Sequence, residues 1–214
     1  MSDDFREIIG GAPPILMREP LAEFLGAFRD NDNTLSYTLA DAVKLAGHCC
    51  PTVTGAYLAT RRALSVLYGD EVPVRGEISV TALGRPDEGV YGVMSQVMAY
   101  ITGAAPETGF KGLGPRFRRQ GLLNFSDGDA GDEAVSFRFR RQDGNGSALL
   151  VRILPWLVPF PEDRARRSAE LMEKVMGGGA DEAETVEFRD LWMEKIKGML
   201  QSPEPVEWLQ VQKA

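Results

Sequence analysis

Histidine and cysteine are almost missing from this chain: 214 residues hold one His and two Cys. The two thiols, Cys49 and Cys50, are neighbours. Consecutive Cα atoms lie ~3.8 Å apart across a trans peptide, closer than an unstrained disulfide allows. A structural disulfide is therefore not expected, and a reducing compartment disfavours one too. Basic charge is in deficit as well. Lys and Arg number 24 against 31 Asp and Glu, a formal net charge of −7. Proteins that grip a phosphate backbone usually present a basic surface, so nucleic acid is not expected as a main partner. No apolar run approaches the ~20 residues that cross a bilayer. The longest, from Leu149 to Phe160, is broken at Pro155 and Pro159. The opening residues, Met1 to Glu7, are acidic and lack the apolar core of a signal peptide. A cytoplasmic location with no membrane partner is the resulting expectation. Nothing repeats at a fixed period.

Hydrophobic residues make up 43% of the chain, enough for a globular protein with a real core. Residues 1–17 read as loosely ordered, punctuated by Gly10, Gly11, Pro13 and Pro14. A short helix is expected over 20–29, with Leu21, Phe24, Leu25 and Phe28 on one face, then a turn at Asp30–Asn33. Thr38 can cap a helix to Ala46 that Gly47 ends. Pro51 suits the first position of a helix running to about Tyr68, with Val53, Tyr57, Thr60, Leu64 and Leu67 as its buried stripe. A strand over 76–83 and a helix over 89–101 follow. Strands are then expected at 120–126, 133–141 and 147–154, the last two joined by the hairpin signal Asp143-Gly144-Asn145-Gly146. Helices over 162–176 and 181–200 flank Gly177–Gly179, and the tail carries Trp208 on a polar segment. Helices and strands in mixed order make this α+β, with a mixed or antiparallel sheet packed on helices. The division is an N-terminal segment (1–34), an α+β core (35–160) and a C-terminal helical extension (161–214).

The only histidine and both cysteines are contiguous, as Gly47-His48-Cys49-Cys50-Pro51. Because Pro51 opens a helix, Cys50 falls at its N-cap, where the positive helix end favours a thiolate. A thiolate is both a nucleophile and a metal ligand. His48, two residues earlier, can turn toward the same point. Zinc takes three or four N, S or O ligands. One copy of the junction offers at most three, and a two-fold dimer would present the set twice. The plainer reading is that both cysteines are small buried hydrophobes and that His48 bonds a carbonyl at a helix end. Local physics supports the two readings about equally.

Thr108 to Arg119 is rich in Gly and basic residues, so backbone N–H groups there could approach an anion, with Lys111 as counter-charge, although spacing alone favours a mobile surface loop with solvated arginines. The order of residues is not that of a nucleotide-binding P-loop. Asp127, Asp129, Asp132 and Glu133 lack EF-hand spacing and fit a solvated loop better than a calcium site. Arg164, Arg166 and Arg167 read as the wet face of a helix. Trp192 and Trp208 can anchor the C-terminal segment to the core or to a partner copy of the chain.

These residues resemble the FmdE family of formylmethanofuran dehydrogenase components (FmdE-like proteins), which carries a His-x-Cys-Pro signature followed by a helix with Gly-Tyr spacing. Here the pattern reads His48-Cys49-Cys50-Pro51, then Gly55-Ala56-Tyr57. Arg75-Gly76-Glu77, Thr102-Gly103 and Phe110-Lys111-Gly112 continue it, so the likeness spans about residues 35–155. Two features depart from the family. Ala104 stands where members commonly have a cysteine, and the C-terminal four-cysteine finger of some members is absent. The resemblance implies an α+β core, a homodimer, and a metal or active site at His48 and Cys50 with Lys111 nearby. The expected function is binding of zinc, or of a small anionic ligand or cofactor. An accessory role beside a molybdenum or tungsten oxidoreductase of C1 metabolism goes with it. The alternative is a metal-independent thiol or acid–base enzyme acting on a small C1-related substrate. In these readings Cys50 is the thiolate, His48 a ligand or general base, and Lys111 the anion partner.

Overall fold

A computed structural model describes residues 3–28, 33–126, 134–144, 146–202 and 207–214. The expected turn at 30–33, apart from Asn33, lies outside them, as do the four acidic residues at 127–133 and Asn145 of the hairpin. The protein is α+β. Its centre is helix α4, Pro51–Tyr68. The helix is buried on most of its circumference because small residues alternate with large ones. Thr54, Gly55, Ala56, Ala59 and Ala63 are buried alongside Val53, Tyr57, Leu64 and Leu67. A side chain at Gly55 would sit 3.6 Å from the Met199 methyl, so α7 (Glu182–Gln201) approaches α4 there. Helices α3 (Leu39–Ala46) and α5 (Tyr91–Thr102) pack on other sides of α4.

One face of α4 covers a five-stranded sheet. Its strands are β3 (Ile78–Ala82), β4 (Leu123–Phe125), β5 (Val135–Arg141), β6 (Ala148–Ile153) and β7 (Leu209–Lys213), in spatial order β4-β3-β5-β6-β7. The β3–β4 pair is parallel, as the crossover through α5 requires, and the others are antiparallel. Phe137 lies opposite Val151 and Phe139 opposite Leu149, and all four are buried. Removing either ring would cost about 3–5 kcal/mol. Helix α6 (Glu162–Met176) lies against α7 and presents a charged face, on which Arg164 pairs with Glu194 and Arg167 with Glu187.

Three segments differ from the sequence reading. Residues 3–10 form a helix, α1, and Ile15–Arg18 form strand β1, which pairs antiparallel with β2 (Thr34–Tyr37). Tyr57 holds this N-terminal segment down from below: its buried hydroxyl donates to Pro13 O at 2.8 Å and to Tyr37 O at 3.0 Å, sharing one proton between them. The helix expected over 20–29 is only α2, Pro20–Phe24. One turn is too short to bury a stripe, and Phe24 and Leu25 stay 60% and 67% exposed. The tail regarded as polar ends in β7, with Trp208 buried and its carbonyl accepting Leu154 N–H at 2.8 Å. The segment after residue 160 therefore leaves the core as two helices and returns to it as an edge strand.

Candidate functional site

The α3–α4 junction forms as its residues dictate. Thr38 N–H and its hydroxyl both donate to Asp41 Oδ2, at 2.9 and 2.7 Å, which fixes the start of α3. Gly47 takes a left-handed φ of 78° and donates to Val43 O, which closes the helix. Cys50 is extended (φ −146°, ψ 165°), and its sulfur accepts Val53 N–H at 3.4 Å. A sulfur thus does the capping that Ser or Asp oxygen usually performs. Cys50 is buried.

His48 is exposed, and its Nδ1 lies 3.0 Å from Ala46 O. A carbonyl can only accept, so Nδ1 carries the proton. In the neutral ring Nε2 is then the atom with the free lone pair. Cys49 is buried, with its sulfur 3.7 Å from Thr54 Oγ1. Burial pushes the Cys49 thiol up from its ordinary value, against a smaller lowering by the Thr54 hydroxyl. The Cys49 carbonyl accepts the indole N–H of Trp192 at 3.0 Å, so α7 is latched to the junction.

A groove of about 790 Å³ runs along this latch. His48 and Cys49 line it from the junction, Phe5 and Ile8 from α1, and Met193 and Lys197 from α7. His48 and Cys49 share this space, whereas Cys50 and Lys111 are not among its lining residues. Among the described residues no group of three His, Cys, Asp or Glu side chains is placed to hold a metal ion. One copy of the chain brings only His48 and Cys49 to the groove lining, and a tetrahedral zinc site needs more donors than these.

Lys111 is exposed on the loop that follows α5, where its carbonyl accepts Arg119 N–H at 3.0 Å. Of the loop's three arginines, Arg116 and Arg118 are exposed and Arg119 is buried. The loop closes at its base, where Ala105 N–H donates to Arg119 O and Leu123 N–H to Ala105 O. Arg119 turns inward to meet Glu19, a pair that the local sequence pattern did not reveal. Glu19 is 4% exposed and accepts from Arg75 Nη1 at 2.9 Å, from Arg119 Nη2 and from Leu21 N–H at 3.1 Å. Burial raises the Glu19 pKa, but the two guanidinium groups outweigh it and hold the carboxyl below its ordinary value. Arg75 is further fixed by donating to the carbonyls of Tyr100 and Ile101. The Arg-Glu-Pro at 18–20 and the Arg-Gly-Glu at 75–77 were the only sequence signals available, and neither states burial.

No protein-family model matches the chain, and a search of curated proteins found no significant match.

Proposed function

We propose that this chain binds a small ligand or a divalent metal ion, zinc by preference, at the α3–α4 junction, with His48 Nε2 as the donor atom. The exposed His48 ring lining the groove carries this reading; its contact from Nδ1 to Ala46 O at 3.0 Å fits the plainer reading equally. In the neutral ring that contact leaves Nε2 as the lone-pair atom, on an exposed ring at the edge of a large groove. Metal-ligating imidazoles characteristically hold their other nitrogen on a carbonyl or carboxylate in this way. His48 would hold the metal from this chain, and the metal would supply Lewis-acid chemistry there; the buried Cys50 sulfur caps α4 and lies outside the groove lining. A second copy of the chain would complete the ligand set about a two-fold axis.

Metal content of purified protein, measured by mass spectrometry alongside its oligomeric mass, tests the reading. The wild type is expected to carry bound zinc as a dimer, and the His48→Ala/Cys50→Ala variant to lose it. Equal metal content in the two proteins rejects metal binding at this junction.

A metal-free reading draws on the groove itself. A groove lined by Phe5, Ile8, Val43 and Met193 with charged residues of α7 beside the imidazole suits a small substrate, with His48 as general base. Saturable ligand binding by metal-stripped protein that is lost in His48→Ala would favour it.

A further inference from the structure

We propose that the cavity behind β1 and α2, closed by residues 116–119, is a binding site for a small phosphate-type dianion, separate from the His48 junction. The cavity holds about 270 Å³, the size of a small polar ligand rather than a large cofactor. Its described lining carries five arginines, Arg18, Arg75, Arg116, Arg118 and Arg119, against three glutamates, an excess of two positive charges. In a chain whose formal net charge is −7, such a concentration of guanidinium groups runs against the overall balance.

The floor is built rather than incidental. The Arg119 side chain is only 8% exposed, yet its one side-chain hydrogen bond among the described residues goes to Glu19. A guanidinium has five N–H donors, so most of those on Arg119 have no protein acceptor. They are not sealed inside the protein either. Among the described residues, the buried side-chain polar atoms that lack a partner are Tyr68 Oη, Ser95 Oγ and Trp208 Nε1. Arg119 itself lines the cavity, and its unused donors are the ones available to a ligand there.

Its neighbours hold this guanidinium in place. The Phe110 ring lies 5.2 Å from its central carbon. Gly76 and Gly103 give it room, since side chains added there would come within 3.4 Å of its Nε and Nη1. Gly103 also lies against Arg75, whose Cγ would be 2.9 Å from an added Cβ. Glu19 cancels one of the two buried charges and fixes both side chains, which leaves a pre-oriented cation lining the cavity. Arg18, Arg116 and Arg118 stand exposed at the mouth, and none has an ion pair among the described residues. Donors thus reach the space from the floor and from the rim. A planar carboxylate is satisfied by one guanidinium fork, whereas a tetrahedral oxyanion uses donors from several sides. Two negative charges match the excess of two positive ones.

Calorimetric titration of the full chain with inorganic phosphate, and separately with phenyl phosphate, at low chloride tests the site. Saturable one-to-one binding is expected, together with a rise in melting temperature. Tighter binding of phenyl phosphate would identify a phosphomonoester as the natural source, and tighter binding of inorganic phosphate the free ion. The Arg116→Ser/Arg118→Ser variant alters only exposed side chains, so its ligand-free melting temperature should equal the parent's while its affinity falls about tenfold or more. Arg119→Lys keeps a charge but loses the fork, and should weaken binding to a similar degree. Non-saturating heats with both probes overturn the proposal, as does unchanged affinity in the rim variant. Neither result bears on the His48 junction.

Discussion

Replacing Glu19 by Gln tests the idea that a buried carboxylate holds the two halves of the arginine cluster together. Gln fills the same volume and keeps one oxygen, which can still accept from Leu21 N–H and Arg119. Its amide nitrogen then faces Arg75 Nη1, a donor against a donor, where 2.9 Å now separates a donor from an acceptor. Two guanidinium groups, 17% and 8% exposed, lose their shared counter-charge. Breaking a buried ion pair from one side costs about 3–5 kcal/mol. The low end applies, about 3 kcal/mol, because Arg75 keeps its two carbonyl acceptors and Arg119 lines a cavity rather than packed core. At ~2–4 °C per kcal/mol for a domain of this size, the melting temperature should fall by roughly 6–12 °C at neutral pH. The sign of the pH dependence is also fixed. The folded-state pKa of Glu19 lies below its ordinary 4.5, so its stabilisation is complete above that value and is lost as pH falls through the folded pKa. The gap between parent and Glu19→Gln should therefore narrow in acid, as followed by circular dichroism melts across pH. A melting temperature within about 1 °C of the parent at pH 7 would refute the reasoning, as would a gap that widens in acid.

Two further outcomes are expected. Tyr57→Phe removes the hydroxyl that donates to Pro13 O and Tyr37 O, leaving two carbonyls short of a donor, and should cost about 1–3 kcal/mol in urea unfolding. An unchanged midpoint would mean that the N-terminal segment is held by other contacts. The Cys49 thiol, raised by burial from its ordinary 9.0, should react with iodoacetamide at pH 8 about tenfold more slowly in native than in denatured protein. Equal rates under the two conditions would contradict its placement.

The legible parts of the fold were those written in local chemistry. Thr38, Gly47 and Pro51 punctuate α3 and α4 so strongly that both helices follow from sequence, and the β5–β6 hairpin follows from alternation on either side of a Gly-rich turn. Trp192 and Trp208 were legible as anchors, because a large aromatic on a polar segment has few other uses. Strands β2 and β7 were not legible, since four or five residues carry too little alternation and their pairing partners decide them. At the junction, the cap position of Cys50 could be read from Pro51. The separation of Cys50 from the groove that His48 and Cys49 share could not, because side-chain direction there depends on where α7 docks. The Glu19 cluster was the least legible feature. Its partners lie 56 and 100 residues away, and burial of a charge is decided by such distant pairings.

The position of β7 has a consequence for how the protein is made. Residues 148–153 emerge from the ribosome before 209–213, with α6 and α7 still to be translated between them. Throughout that interval β6 shows a bare row of amides and carbonyls on its outer side, a template for any passing strand. Pairings so distant in the chain also form late. Slow translation through the two helices would lengthen the time during which nascent chains can stick to one another, and fast delivery of Trp208 would end it.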